Sequence, residues 1–247
     1  MKNSRIVVVT GASQNIGEAI AQRFYDDGAT VVCADLGAPQ HDRFDFVKTD
    51  VSSEESVAQL MSHVKNQYGQ LDVLVNNAGI CVEQLIHETS SAQWDKVMGI
   101  NIKGVFLTTK HAFELLKQAE HASIVNISSI EGLAANPLHG VYAASKAAVA
   151  AFSHNTALEY GTSGIRCNAV APGWINTPFN EALLNKYPDR VAVDSEIQAL
   201  HPVGRLGTPE DIANTVYWLA SQDSAFVSGQ EIVVDGGRLA KLPLPKL

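Results

Sequence analysis

The sequence predicts an α/β protein built on a doubly wound parallel sheet of about seven strands, with helices on both faces. Three observations carry that expectation. Short apolar runs rich in Val and Ile, with little polar alternation, recur along the 247 residues, as strands buried on both faces do. Longer amphipathic stretches separate them in β-α-β-α order, which right-handed crossovers wind into such a sheet. A glycine-bearing turn, TGASQNIG (10–17), joins the first apolar run to the first amphipathic stretch.

The strand-like runs are Ile6–Thr10, Thr30–Ala34, Phe46–Thr49, Val73–Val75, Ser123–Ile127, Ile165–Val170 and Glu231–Val234. The first helix follows the glycine turn, in EAIAQRFYDDG. Residues 52–68 open Ser-Ser-Glu-Glu, a capping-box pattern, and end at Gly69. Helical stretches are expected at 103–118 and 141–158. A further helix at 209–221 opens Pro-Glu-Asp, with proline in the first turn and acids at the positive end of the dipole. Residues 176–205 break the rhythm with mixed polar, aromatic and proline residues, and an excursion of that length reads as a substrate loop or lid. The tail from Lys241 to Leu247 alternates Leu and Pro and is expected to run extended, either frayed or docked. No repeat or linker divides the chain, so residues 1–247 read as a single domain.

Composition bounds the function. Hydrophobic residues make up 46% and charged residues 18%, enough apolar material for a large core. A net charge of −8 leaves no basic stripe to neutralise phosphates, which argues against a nucleic-acid partner. Cys33, Cys81 and Cys167 are odd in number and widely spaced, and read as buried thiols in a reducing compartment. The histidines form no ligand cluster, so no metal is expected. Met1 is followed directly by a strand-like run, with no secretory pattern, and no apolar run approaches the ~18 residues of a membrane span. A soluble, cytoplasmic enzyme with a small-molecule substrate is the expectation.

The turn at 10–17 lies where free N–H groups and the positive end of a helix suit a pyrophosphate. Gly11 permits the tight turn, and Gly17 lets the helix lie close to the strands. Asn15 replaces a further glycine; asparagine is among the few other residues that enter the left-handed region cheaply. Asp35 ends the second strand-like run, about 20 residues after the turn, placed to accept from an adenosine ribose. It would repel the 2′-phosphate of NADP by roughly 3 kcal/mol at 5 Å and an effective dielectric near 20. Gln14 and Leu36 supply no cation beside it, although His41 and Arg43 follow. NAD is therefore the expected cofactor.

Tyr142 and Lys146 are four residues apart and share a helix face. Ser129 lies just past the strand SIVNI, at the sheet edge where ligands bind. A free phenol titrates near pH ~10, and a nearby ammonium would bring Tyr142 toward use as a base. Taken singly, each of these residues has an ordinary structural reading: packing, a solvated lysine head, a helix cap.

Together the motifs resemble the classical short-chain dehydrogenase/reductases. The pieces are TGASQNIG, Asp50-Val51, NNAG (76–79), Asn101 in GINIKG, Ser129 in VNISS, Tyr142-x-x-x-Lys146, PGWINTP (172–178) and VDGG (234–237), spread over almost the whole chain. The departure is Asn15. The resemblance implies a Rossmann-like fold and hydride transfer between NAD and a secondary alcohol. It implies a catalytic set in which Tyr142 is acid or base, Lys146 holds the nicotinamide ribose, Ser129 binds the substrate oxygen and Asn101 holds a relay water. It further implies cofactor contacts from Gly11, Gln14, Asn15, Ile16, Gly17, Asp35 and Leu36. Asp50 and Val51 would flank the adenine, and Asn77, Ala78 and Gly79 would line the ribose. Pro172, Gly173, Ile175 and Thr177 would frame the nicotinamide.

Glu131, Asn136, His139, Trp174, Asn176 and Phe179 are candidates for the substrate pocket. Their polarity points to a sugar, polyol or hydroxy-ketone if they face the pocket, and to nothing if they face solvent. The helices at 103–118 and 141–158 offer faces for assembly, and the family is typically homotetrameric. A catalytically silent NAD-binding regulator, a 3-oxoacyl thioester reductase, and a dehydratase or epimerase stand as alternatives.

Overall fold

The computed structural model describes residues 4–184 and 188–241, so the tail beyond Lys241 lies outside the described residues. The elements run β1 (Ile6–Thr10), α1 (Asn15–Asp26), β2 (Thr30–Asp35), β3 (Asp45–Lys48), α2 (Glu54–Tyr68), β4 (Val73–Asn76), α3 (Ser91–Met98) and α4 (Gly104–Leu116). They continue with β5 (Ser123–Ile127), α5 (Gly140–Gly161), β6 (Arg166–Pro172), α6 (Pro178–Leu184), α7 (Arg190–Leu200), α8 (Pro209–Leu219) and β7 (Glu231–Val234). The strands form one seven-stranded sheet in the order β3-β2-β1-β4-β5-β6-β7. Every pairing is parallel. The order reverses between β1 and β4, which opens a crevice at the carboxyl ends of those strands.

Strand alternation divides the core. Val7, Val9, Val31, Cys33, Val75, Val125 and Val170 face a cluster closed by Ile20 and Phe24 of α1 and Ile212, Val216 and Leu219 of α8. Ile6, Val8, Val32, Leu74, Ile124 and Cys167 face the other, closed by Leu60, Met61 and Val64 of α2 and Leu115 and Leu116 of α4. All five residues of β1 are buried, which is why its sequence shows no polar alternation.

The chain departs from sequence expectation in four places. The stretch expected as helix from 103 begins as a π-helical turn, Gly99–Lys103, which continues α3 into α4. The break at 176–205 holds α6 and α7 rather than an irregular loop. The cap of α2 is one-sided: Ser53 Oγ accepts from Ser56 N at 3.3 Å, because the position that would return the bond holds serine, not glutamate. Gly69 does close that helix at φ 76°. Full capping boxes lie instead at α3, between Ser90 and Gln93, and at α8, between Thr208 and Asp211. There Arg205 grips Asp211 at 2.6 and 2.9 Å and draws its carboxyl down to about 2. Among the described residues, no helix is long and apolar enough to cross a membrane.

Candidate functional site

A cleft of about 650 Å³ runs along the carboxyl ends of the strands, from Asp35 past the α1 turn to Tyr142 and Trp174. Its cofactor-sized half is built largely of backbone. Gly11 has φ +64° and Asn15 φ 55°, so asparagine does take the left-handed conformation. A Cβ at Gly17 would sit 2.0 Å from Gly11 O, so α1 approaches its own loop at a distance only glycine allows. Helices α2, α3, α7 and α8 start on a capping side chain, but Gln14 makes no cap on α1. The first-turn N–H groups of α1 are left available to an anion.

Neighbouring side chains hold this loop. Asn77 Nδ2 donates to Thr10 O at 3.0 Å and Gly11 O at 2.9 Å. Thr10 Oγ1 accepts from Asn77 N and Ala78 N at 3.0 and 3.1 Å. Asp35 accepts from Ser13 N at 3.0 Å and Leu36 N at 2.7 Å, and Ser13 Oγ donates to Gly37 O. Gln14, Asn15, Ile16, Asp50, Val51, Ala78, Gly79, Pro172, Gly173, Ile175 and Thr177 all line the cleft, as expected. Neither His41 nor Arg43 does; the guanidinium of Arg43 lies 5.7 Å from the Phe44 ring centre.

Ser129, Tyr142 and Lys146 meet at the other half. Lys146 is 4% exposed, donates from Nζ to Ile127 O at 2.8 Å, and lies 5.7 Å from the centre of the Tyr142 ring. Burial pulls its pKa down from 10.5 to about 8. Burial also pushes the Tyr142 phenol above its ordinary value, while the Ser129 hydroxyl pulls the other way. The expected lowering of the phenol by the ammonium is thus absent from the chain by itself. An ammonium that loses its proton near pH 8 has no charge left when the phenol begins to titrate. Ser129 Oγ accepts from Glu131 N at 3.2 Å, so it caps a short turn while its own proton stays free to donate.

Asn101 does not line the cleft. It is buried on the π-helical turn, where Oδ1 accepts from Ile80 N at 2.8 Å and Nδ2 donates to Ile80 O at 2.8 Å and Ser145 Oγ at 3.0 Å. Its side chain still comes near Lys146. A Cβ at Gly79 would stand 3.3 Å from Lys146 Nζ and 3.4 Å from Asn101 Oδ1, so those atoms flank one small gap.

Glu131, Asn136, His139 and Trp174 face the cleft. Glu131 accepts from Asn136 Nδ2 at 3.1 Å and pairs with His139 Nδ1 at 2.8 Å. The imidazole stands edge-on to the Tyr142 ring at 6.3 Å. Asn176 is exposed and outside the cleft: Ile175 bridges Gly207, and strand-like alternation turns the next side chain outward. The Phe179 side chain lies outside the described residues. Sequence reading missed Cys81, Asn180 and Arg238, which also line the cleft. Cys81 is therefore not the core thiol expected; burial, Glu131 and Glu83 push it up to about 12. Arg238 directly follows the VDGG motif, a signal available in the sequence.

The residues fit a dinucleotide: an uncapped helix start, a carboxylate at the second strand, and a buried Tyr–Lys pair share one cleft. Among the described residues, no group of three or more His, Cys, Asp or Glu side chains could hold a metal. Residues 11–238 match a family model described as enoyl-(acyl carrier protein) reductase. The chain is 40% identical to cis-4-hydroxycyclohexanecarboxylate dehydrogenase of Sinomonas cyclohexanicum, over 96% of this chain and 97% of that protein. It is 36% identical to a 3-oxoacyl-(acyl-carrier-protein) reductase of Thermotoga maritima, over 94% and 97%. Aldohexose dehydrogenase of Thermoplasma acidophilum superposes with a TM-score of 0.94 at 34% identity, covering 99% of this chain and 97% of that one.

Proposed function

The chain belongs to the short-chain dehydrogenase/reductase family and is an oxidoreductase acting on CH–OH groups with a nicotinamide cofactor; on that premise we propose that it takes NAD rather than NADP and oxidises a secondary alcohol carrying further polar groups. The observation that carries this reading is the burial of Lys146 beside Tyr142, with Ser129, in the cleft that also holds Asp35 and the open start of α1. Asp35 supports NAD, because the lysine and arginine that line the cleft stand beside Tyr142 and Trp174, at its other end.

When bound, the nicotinamide accepts or supplies the hydride and brings a positive ring to the site. Tyr142 takes the proton of the alcohol, or returns it in reduction. Lys146, fixed by Ile127 O, holds ribose hydroxyls and keeps its own proton better once opposite charge or hydrogen bonds reach it. Ser129 donates to the substrate oxygen as charge develops there. Asn101 and Lys146 hold a relay water in the gap that Gly79 leaves. Glu131, His139 and Asn136 read additional hydroxyls. That fits relatives acting on an aldohexose and a hydroxycyclohexanecarboxylate.

The chain works as one catalytic unit, in the cytoplasm, and assembles as a homotetramer. Phe106, 44% exposed, and Leu158, 77% exposed, leave apolar surface on α4 and α5 for neighbours. Light scattering at micromolar concentration checks the assembly.

The test is NADH formation over a panel of sugars, polyols, hydroxy acids and acyl thioesters, with NAD and NADP at equal concentration. Tyr142→Phe is expected to keep NAD affinity and lose turnover by about a thousandfold, within the range of proton-transfer catalysis. Undiminished turnover in that variant, or a clear NADP preference in the native chain, overturns the corresponding part. A preference for 3-oxoacyl thioesters with NADH would select the second reading, which the Thermotoga relative favours.

A further inference from the structure

Arg238 takes no part in the reading above, yet it lines the cleft beyond β6 and β7. A rigid turn presents it. Asp235 accepts from Gly237 N at 2.8 Å and Leu239 N at 2.7 Å, and Arg238 N donates to Asp235 O at 3.2 Å. Gly236 and Gly237 have φ of +62° and +85°. Gly173, where a Cβ would stand 2.7 Å from Asp235 Cα, packs the exit of β6 directly against the same turn.

The backbone of Arg238 is thus held firmly, but its guanidinium makes no hydrogen bond or ion pair with any described residue. It lies 5.6 Å from the centre of the Trp174 ring. The indole Nε1 of Trp174 is buried and also has no acceptor among the described residues. A buried donor without a partner costs roughly 1–3 kcal/mol, and native proteins leave few of them. Here a donor without an acceptor and a cation without an anion stand side by side at a cleft. Elsewhere in the lining of the cleft, Glu131 already pairs with His139 and Asn136, so those groups are suited to hydroxyls and not to a second anion.

We propose that Arg238 and Trp174 form a carboxylate subsite, and that the substrate is a hydroxy acid whose carbinol meets Tyr142 while its carboxylate meets Arg238. A planar guanidinium matches a carboxylate with two parallel hydrogen bonds, and a turn of the Trp174 ring would bring its buried N–H to the ligand as a third donor. The subsite carries a single cation, which suits one negative charge better than a phosphate dianion. This inference rests on the secondary-alcohol reading, and it deepens that reading by naming the substrate class.

The test separates binding from turnover. Cyclohexanecarboxylate and its neutral counterpart cyclohexanecarboxamide, neither of which has an oxidisable CH–OH, are titrated calorimetrically into the NAD-saturated protein. The native chain is expected to prefer the carboxylate by about ten- to a hundredfold, the range of charge-assisted hydrogen bonds. Arg238→Leu should abolish that preference, Arg238→Lys should keep part of it, and Trp174→Phe should weaken carboxylate binding alone. NAD affinity should not change in any variant. Equal binding of the two probes by the native chain overturns the subsite. So does an Arg238→Leu effect that falls equally on both probes or on NAD. Oxidation of 4-hydroxycyclohexanecarboxylate against cyclohexanol, run in parallel, tests the alcohol reading by itself. Turnover of both with no probe preference removes the subsite and leaves the alcohol reading intact. Carboxylate preference without turnover of either alcohol keeps the subsite and counts against that reading.

Discussion

The two halves of the cleft are built differently. The half near Asp35 and α1 is lined from the turns after β1, β2, β3 and β4, and it centres on the uncapped first turn of α1, where the groups offered to an anion are backbone N–H. Its side chains serve the loop: Asn77 braces Thr10 and Gly11, and Ser13 braces Gly37. The half near Tyr142 comes from loops after β4, β5, β6 and β7, and its ligand-facing groups are side chains. Backbone donors recognise what every dinucleotide has in common; side chains from separate loops can change singly. By that contrast the first half is expected to recognise any dinucleotide and the second to set the substrate.

Variants can break or sharpen that contrast. The largest effect is expected at Lys146, where the halves meet. Lys146→Met should lose turnover by about a thousandfold or more. It should also gain stability at neutral pH. The folded-state pKa is near 8 against an ordinary 10.5, so between those values the unfolded chain binds more protons. Burying the charged form therefore costs about 3 kcal/mol below pH 8, a cost that fades as pH rises toward 10.5. Thermal melts at pH 7 and pH 10 should show the variant's advantage shrinking, less a constant loss from the Ile127 carbonyl it leaves without its donor. An advantage that did not change with pH would mean that Lys146 is not carrying a buried charge.

Next comes Asp35→Asn, which removes one charge from the cofactor half. It should move the NAD-to-NADP ratio of kcat/KM about a hundredfold toward parity, with substrate KM unchanged. Glu131→Gln does the reverse. KM for a polyhydroxylated alcohol should rise about tenfold, the worth of one charge-assisted hydrogen bond, while NAD affinity stays put. If either variant altered both affinities together, the halves would not be separable. The smallest effect is expected at Asn15, at φ 55°. Asn15→Gly should fall within about 0.5 kcal/mol of the native chain, and Asn15→Val should cost about 1–2 kcal/mol in a denaturant titration.

Legibility in the sequence follows the same division. The runs around β1, β2 and β5 were readable because burial on both faces leaves unbroken apolar runs, and β7, half-buried at the sheet edge, because of its β-branched Ile-Val-Val. Helix α3 and the π-helical turn were not read: the Ser90–Gln93 capping box was a signal available for α3, whereas the turn depends on Asn101 bonding back to Ile80. That Ser129, Tyr142, Lys146 and the 10–17 turn would share one cleft was readable from motifs with fixed spacing. The placing of Asn101 behind the cleft, Asn176 outside it and Cys81 and Arg238 within it was not. Each depends on where a loop sits after distant strands have paired.

The sequence by itself determined the layered sheet, the glycine turn before α1, the carboxylate at the end of β2 and the residue types of the proposed catalytic set. These are local, because periodicity, glycine placement and short spacings act within a few residues. Tertiary structure alone decided that Lys146 would be buried deeply enough to weaken its hold on a proton, that Tyr142 would be pushed up rather than down, and that Arg238 would stand beside Trp174 with no ion-pair partner among the described residues. Desolvation and unmet hydrogen bonds depend on everything packed around a group, and most of that is far away along the chain.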